Sequence, residues 1–273
     1  SNTPGLRITK ITGHQGKLPL EVERNTAGVA ALRLLEYLGE AERGVELEIH
    51  KKMPLGSGLG SSAASAVAAV LAVSELLRTG MSKRELLPFA CAGEAMASGA
   101  YFADNVAPSL IGGIVLVRDN PTLDVHRLHV PRGLHAAVVY PQLEVLTKTA
   151  RALLKPEVPL ESFVRQSANL GAFVLALYNS DIALLSRCLC DEVIEPQRAH
   201  LIPGFYNVKE AALNVPGVLG CSISGSGPSI FAIAANSLAA EEAGRAMQAV
   251  FTAQKIESEV FLSAVNQEGA SVC

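Results

Sequence analysis

A chain of 273 residues with 49% hydrophobic and 18% charged side chains is long enough to bury the cores of one large or two medium domains. Its formal net charge of −3 excludes a broad nucleic-acid-binding surface, which needs a clustered excess of Lys and Arg. Gly, Pro or charged residues interrupt each apolar stretch before the roughly 20 residues that cross a bilayer, so no membrane contact is predicted.

The five cysteines are odd in number and scattered along the chain. We interpret them as reduced thiols, which predicts a cytoplasmic protein. Cys188 and Cys190 resemble half of a metal site, but no second Cys or His pair stands at zinc-site spacing. Core packing is the better interpretation of that pair.

The first clear elements are a strand and a helix on either side of a glycine-rich loop. Val45, Leu47 and Ile49 alternate with polar residues, which predicts a half-buried strand. Residues 61–77 are rich in Ala, Leu and Val and contain no Gly or Pro, which predicts a helix that ends before Gly80.

The loop between them has the chemistry of an anion site. Gly56, Gly58 and Gly60 allow positive φ and close approach of the backbone, and Ser61 and Ser62 stand where the helix begins. Free N–H groups and the helix dipole favour a phosphate there. The loop matches neither common nucleotide-binding fingerprint, and a strand-to-helix turn without a ligand is the alternative interpretation.

The rest of the first half continues with a helix that begins at a capping box, Ser82 with Glu85. Pro88 is expected to bend this helix or to shift its start. A short helix after Asn105, a break at residues 112–113 and a strand at 114–117 follow. The polar stretch 119–131 is predicted to be the connection between the two halves.

The second half is predicted to mix strands with helices. It begins with a strand at 134–140 and continues with helices near 147–154, 161–178 and 181–193. A hairpin pairs 218–223 with 230–234, and a helix at 238–251 precedes a strand at 258–265. The whole pattern is of the α+β class.

Four motifs carry a resemblance to a known family. The string PLGSGLGSSAASA at 54–66 resembles the second motif of the GHMP kinases, and Ser224–Ser229 resembles their third, glycine-rich motif. The segment Glu94–Pro108 is similar to the homoserine kinase segment that runs from a metal-binding glutamate to an acceptor-binding Asp-Asn pair. The string EPQRAHLIPGF at 195–205 is more specific for the homoserine kinases within that superfamily.

The resemblance implies a two-domain GHMP kinase fold. Residues 1–130 would form an ATP-binding N-terminal domain like the second domain of ribosomal protein S5, and 131–273 a ferredoxin-like C-terminal domain, with ATP and acceptor between them. The first family motif, PxSSANLGxGFD, does not occur in the sequence. We therefore expect the first strands of the N-terminal domain to be missing from this chain.

The resemblance also implies an activity. ATP and Mg²⁺ would be the cofactors, and the side-chain hydroxyl of L-homoserine would be phosphorylated to O-phospho-L-homoserine in threonine biosynthesis. A GHMP kinase for another small alcohol and a non-catalytic, regulatory member are the alternatives. The family further implies a homodimer.

The same resemblance implies the site residues. Ser62 and Glu94 would hold the metal, Asn105 would lie beside the reacting hydroxyl, and Asp104 would hold the acceptor's ammonium group. The acceptor carboxylate would meet Thr147, Arg151 and Arg198, with Gly225 in the floor of the site; Glu94, Asn105 and Arg198 form the proposed catalytic set. The nucleotide phosphates would be held by nine consecutive loop residues, Pro54, Leu55, Gly56, Ser57, Gly58, Leu59, Gly60, Ser61 and Ser62.

Simpler interpretations exist for several of these residues. Glu94 could face solvent, Asp104 could only cap the next helix, and Arg198 could form a surface ion pair. Phe102 is a departure from the family, which has His at this place before the Asp-Asn pair. The lost imidazole predicts weaker acceptor binding or a changed acceptor preference.

Overall fold

A computed structural model describes residues 3–13, 16–99, 101–143, 145 and 147–272, without the side chains of 97, 98, 147 and 148. The chain forms two compact units. The first comprises Ser1–Leu55, Gly60–Arg127 and Gln267–Cys273, and the second comprises Gly56–Leu59 and Leu128–Asn266. The assignment of 1–130 as the ATP-binding domain stays a prediction.

The first unit packs helices around a shared core. Its helices are α1 Thr26–Tyr37, α2 Ser61–Leu76, α3 Lys83–Ser98 and α4 Val106–Ile111. Its strands are β1 Leu6–Thr12, β2 Val45–His50, β3 Ile114–Asp119 and β4 Asp124–Leu128, with β1 parallel to β2 and β3 paired to β4. Apolar side chains of α1, α2 and α3 form the core, among them Leu34, Leu35, Val67, Val70 and Leu86.

The second unit has a four-stranded antiparallel sheet. Its strands are β5 His135–Pro141, β6 Val218–Ile223, β7 Ile230–Ala234 and β8 Ser258–Ala264, in the order β6-β7-β5-β8. Its helices are α5 Thr147–Ala152, α6 Leu160–Asn179, α7 Ile182–Cys188, α8 Glu195–Arg198, α9 Phe205–Leu213 and α10 Ser237–Ala253. The core of this unit contains Phe205 and Val208 of α9 with Met247 and Phe251 of α10.

Most predicted elements are present, and the predicted mixed α+β class is confirmed. The strand before the glycine loop, the helix after it and the β6-β7 hairpin are confirmed. The capping box is formed, because Ser82 Oγ accepts the N–H of Glu85 and the Glu85 carboxylate accepts the N–H of Ser82. Pro88 lies inside α3 and does not shift its start, which the capping box fixes.

Two segments differ from the prediction. The stretch 119–131 contains β4, because Asp119 Oδ2 accepts hydrogen bonds from Thr122 and reverses the chain into that strand. The helix predicted at 181–193 ends at Cys188. Asp191 accepts the N–H groups of three following residues, Val193, Ile194 and Glu195, and so begins the next helix instead.

No helix in the described parts of the chain combines the length and the apolar character that crossing a membrane requires.

Candidate active site

The glycine loop has the backbone that its sequence predicts. Gly56, Gly58 and Gly60 have φ of +64°, +78° and +74°. Gly60 is the N-cap of α2 and provides no side-chain hydrogen bond to the first turn. The N–H groups at this helix start therefore face a position suited to an anion.

The tip of the loop is held by the second glycine-rich motif. Within the second unit, the N–H of Ser229 donates to Ser57 O at 3.1 Å and Ser224 Oγ donates to Gly58 O at 3.0 Å. Ser57 is 1% exposed, and its Oγ accepts a hydrogen bond from Leu59 N at 3.4 Å. The turn that contains Gly225 is thus a support for the loop tip.

This support leaves no room for a side chain at Gly58, which predicts a large effect of Gly58→Ala. The new Cβ would lie 2.3 Å from Ser224 O and 2.7 Å from Gly227 O. We expect a lower melting temperature and weaker ATP binding, measured by thermal unfolding and calorimetry. Gly80→Ala is the control, because Gly80 has φ +71° with no atom within 4 Å, and only strain of about 1–2 kcal/mol applies there. Equal effects of the two variants would contradict the proposed loop support.

Lys51, which the sequence analysis did not single out, braces the start of α2. Its Nζ donates to Ser61 O at 2.5 Å and to Ser65 Oγ at 2.7 Å. Burial lowers the pKa of Lys51 to about 8, against the opposing effect of the Glu94 charge. A lysine between a strand and a glycine loop could have been noticed, but its partners lie 10 and 14 residues away.

Glu94 and Ser62 lie together, as the metal prediction requires. The Glu94 carboxylate is half-buried and hydrogen-bonded to the Ser62 side chain. Burial raises the pKa of Glu94; the Ser62 hydrogen bond and Lys51 oppose this rise, and the Asp104 charge adds to it. Glu94 does not simply face solvent, so that alternative is wrong.

Close helix packing fixes the position of Glu94. Its neighbour Gly93 lies against α1, where an added Cβ would be 2.5 Å from Thr26 O and 2.7 Å from Ala30 Cβ. A hydroxyl and a carboxylate are hard oxygen ligands that suit Mg²⁺, which usually takes only one or two protein ligands beside waters and phosphate oxygens. Among the described residues no cluster of three or more His, Cys, Asp or Glu forms a metal site.

Asp104 and Asn105 are exposed and stand just before α4. Asn105 is the N-cap, and Asp104 Oδ1 accepts the N–H of Asn105 at 3.0 Å instead of capping the helix. The interpretation of Asp104 as a helix cap is therefore wrong. An added Cβ at Gly60 would lie 3.3 Å from Asn105 Oδ1, so the amide of Asn105 lies beside the helix end of the glycine loop.

A cleft of about 330 Å³ opens beside this loop in the first unit. Its walls are β2 and α2, and most of its lining surface is apolar. Leu47, Ile49, Met53, Ala64 and Ala68 contribute to that surface. Lys51 and Lys52 also line it, so the cleft offers a mainly apolar surface for a flat ring with charged groups at its edge.

Arginines converge in the second unit. Arg198 is half-buried; its Nε donates to Ala150 O at 3.2 Å and its Nη1 donates to Gly225 O at 3.1 Å. Burial lowers the pKa of Arg198, and the positive charge of Arg151 lowers it further. Two guanidinium groups that repel each other are stabilised by an anion between them.

The alternative that Arg198 forms a surface ion pair is wrong, because its guanidinium donates to backbone carbonyls instead of a surface carboxylate. Arg151 lies in α5, whose first residue is Thr147. The side chain of Thr147 lies outside the described residues, so its predicted acceptor contact stays a prediction. The functions of the other predicted site residues also stay predictions.

Comparisons with known proteins agree with these motifs. The family profile described as "GHMP kinases N terminal domain" matches residues 25–113, and the one described as "GHMP kinases C terminal" matches residues 173–253. A homoserine kinase of Chlorobium phaeovibrioides is 46% identical over 272 residues, which are 97% of this chain and 85% of that protein.

Solved structures show the same relationship. A homoserine kinase structure from Cytophaga hutchinsonii matches with a TM-score of 0.95 and 51% identity, covering 98% of this chain and 85% of that one. The mevalonate kinase of L. major, at 19% identity and a TM-score of 0.71 over 96% of this chain and 83% of that one, shares the fold. The chain therefore belongs to the GHMP kinase family and, within it, to the homoserine kinases.

Proposed function

We propose that the protein transfers the γ-phosphoryl group of ATP to the side-chain hydroxyl of L-homoserine and forms O-phospho-L-homoserine for threonine biosynthesis. Membership in the homoserine kinases implies the use of ATP. The observation that supports homoserine as the substrate is that Arg198 lies beside α5, where its Nε donates to Ala150 O next to Arg151, because a pair of guanidinium groups suits a carboxylate and would not select a neutral sugar.

In this proposal the glycine loop and the start of α2 hold the nucleotide phosphates. Backbone N–H groups of residues 56–62 bind the β- and γ-phosphates, and Lys51 keeps the first turn of α2 in place. The apolar cleft between β2 and α2 takes the base of the nucleotide. Phosphoryl transfer needs little covalent chemistry from the protein, so rigid positioning of these phosphates is its main contribution.

Ser62 and Glu94 would hold Mg²⁺, because they supply a hydroxyl and a carboxylate oxygen in hydrogen-bonded contact. Bound there, the metal would neutralise charge on the β- and γ-phosphates. Burial and the negative charge of Asp104 both disfavour the ionised form of Glu94. A cation bound at the carboxylate would offset this cost of ionisation.

The acceptor roles remain those implied by the family. Asp104 would bind the ammonium group, and Asn105 would orient the hydroxyl and the γ-phosphate. Arg198 and Arg151 would bind the carboxylate with Thr147, and Gly225 would form the floor beside them. We assign no general base, and the effect of Phe102 on acceptor preference stays a prediction.

We also propose a cytoplasmic homodimer that packs through α6. Within this helix, large apolar residues are exposed along a stripe that spans about 140° of the circumference. A stripe of this width is typical of a helix that packs against another one. The exposed residues are Leu160, Phe163, Val164, Leu170, Leu175 and Tyr178.

Phe163→Glu is therefore expected to convert a dimer into a monomer, because a charge placed in an apolar contact is costly to bury without a partner. Light scattering after gel filtration measures the mass. Leu213→Glu is the matched control, since Leu213 is an exposed apolar residue on α9. A monomeric unmodified protein, or a Phe163→Glu variant that stays dimeric, would overturn this assembly.

The activity is tested by ADP release with Mg-ATP and L-homoserine, mevalonate, galactose, L-threonine or no acceptor. The proposal predicts turnover with L-homoserine above the other acceptors. Turnover with another alcohol alone would favour the alternative, a GHMP kinase with a different substrate. ATP binding without any turnover would favour a regulatory member of the family.

A further inference from the structure

A buried carboxylate lies one helical turn before Arg198. Glu195 is the first residue of α8 and is 5% exposed. Its Oε1 accepts a hydrogen bond from Lys209 Nζ at 2.6 Å, and its Oε2 accepts one from Ser222 Oγ at 2.6 Å. A buried charge is costly unless it is paired and hydrogen-bonded, and both oxygens of Glu195 meet that condition.

These contacts tie α8 to two larger elements. Lys209 belongs to α9 and Ser222 to β6, so the carboxylate joins the one-turn helix α8 to both. A helix of four residues has little stability of its own and takes its position from such contacts. Asp191 fixes the other side of this helix start by accepting the N–H of Glu195 at 3.0 Å.

Arg198 is fixed to the same framework at the other end of α8. Its Nη1 donates to Gly225 O, two residues after the end of β6, and its Nε donates to Ala150 O next to Arg151. Glu195 is therefore hydrogen-bonded to β6, and Arg198 is hydrogen-bonded to the turn that follows β6. A shift of α8 relative to β6 would move the guanidinium away from Arg151.

We propose that Glu195 is a positioning residue for Arg198: its buried bonds to Lys209 and Ser222 hold α8 so that the guanidinium fork meets the acceptor carboxylate. This inference rests on the proposed function. Glu195 itself touches no substrate. A small displacement of the Arg198 guanidinium weakens its bidentate hydrogen bonds to a carboxylate. Loss of Glu195 is therefore expected to weaken acceptor binding.

A purely structural ion pair makes a different prediction. It would lower stability and reduce activity with all substrates alike, because less folded protein would be present. A positioning role changes the KM for L-homoserine and leaves the KM for ATP unchanged. It also leaves turnover of 3-amino-1-propanol unchanged, since this alcohol is homoserine without the carboxylate.

The experiment measures kcat and KM for both substrates in Glu195→Gln. The amide keeps the shape and can still accept from Ser222, but it loses the charge that pairs with Lys209. We expect the homoserine KM to rise about 10- to 100-fold with the ATP KM within about two-fold of the unmodified protein. Glu195→Asp, which keeps the charge on a shorter side chain, should recover part of the homoserine KM.

Met247→Ala is the control for lost stability. Met247 is a buried core residue of α10 in the same unit, and its loss should lower the melting temperature without a change in the homoserine KM. Equal losses with homoserine and 3-amino-1-propanol, or unchanged homoserine KM in folded Glu195→Gln, would overturn the inference. Absence of homoserine turnover in the unmodified protein would instead overturn the proposed function.

A milder variant covers the case in which Glu195→Gln does not fold. Ser222→Ala removes one donor to the carboxylate and leaves the Lys209 pair intact. The homoserine KM should then rise about three-fold with an unchanged ATP KM. An unchanged homoserine KM in this variant would also count against positioning by Glu195.

Discussion

Glu94→Gln is expected to lower kcat by about 10²- to 10³-fold while the fold remains intact. Glu94 is the carboxylate beside Ser62, and an amide is a weaker ligand for Mg²⁺ than a carboxylate. The ADP-release assay measures the loss at several Mg²⁺ concentrations. Glu75→Gln on α2 is the control, because Glu75 is exposed and outside the proposed site.

Without Mg²⁺, the same substitution is expected to raise the stability of the folded protein at neutral pH. Burial raises the pKa of Glu94 above its ordinary value, so the folded state binds more protons than the unfolded state between the two pKa values. Its contribution to stability is complete below the unfolded pKa and is lost as pH rises through the folded pKa. The amide of Glu94→Gln does not titrate, so the variant does not lose stability in this way as pH rises.

Thermal unfolding without Mg²⁺ at pH 5 and pH 7 tests the direction of this stability change. We expect the melting temperature of Glu94→Gln, relative to the unmodified protein, to be higher at pH 7 than at pH 5. A variant that retains activity would contradict the assignment of Glu94 to the metal. A variant that is less stable at pH 7 than at pH 5, relative to the unmodified protein, would contradict the raised pKa of Glu94.

Arg198→Ala is expected to lower kcat/KM for L-homoserine by about 30-fold or more, since loss of a hydrogen-bonded charge pair costs about 2–5 kcal/mol. The KM for ATP should stay the same. Arg198→Lys keeps the charge but not the planar fork, so an intermediate kcat/KM is expected. Steady-state kinetics measure both variants.

An equal loss with 3-amino-1-propanol would show that Arg198 does not act through the acceptor carboxylate. Circular dichroism is the necessary check, because the variant also loses the hydrogen bonds to Ala150 O and Gly225 O.

The sequence predicted those elements whose signals are local. The alternation of Val45, Leu47 and Ile49, the capping box at Ser82 and the Gly and Ser content of the loop each act within a few residues. The short strand β4 was missed because it has only five residues, in a polar stretch, and depends on its partner β3.

Parts of the candidate site depend on contacts that no local pattern encodes. Lys51 reaches the first turns of α2 across the glycine loop, and Glu195 meets Ser222 from 27 residues away. Asp104 was open to interpretation as a cap because Asp favours that position, but the helix begins one residue later. The resemblance to the family supplied the remaining site residues, which spacing alone could not identify.

The most direct test of carboxylate recognition compares kcat/KM for L-homoserine with that for 3-amino-1-propanol under saturating Mg-ATP. We expect a loss of at least about 10²-fold without the carboxylate, because Arg198 and Arg151 would then have no substrate anion to bind. Comparable kcat/KM values for the two alcohols would contradict it, and would point to a GHMP kinase that does not recognise an amino acid.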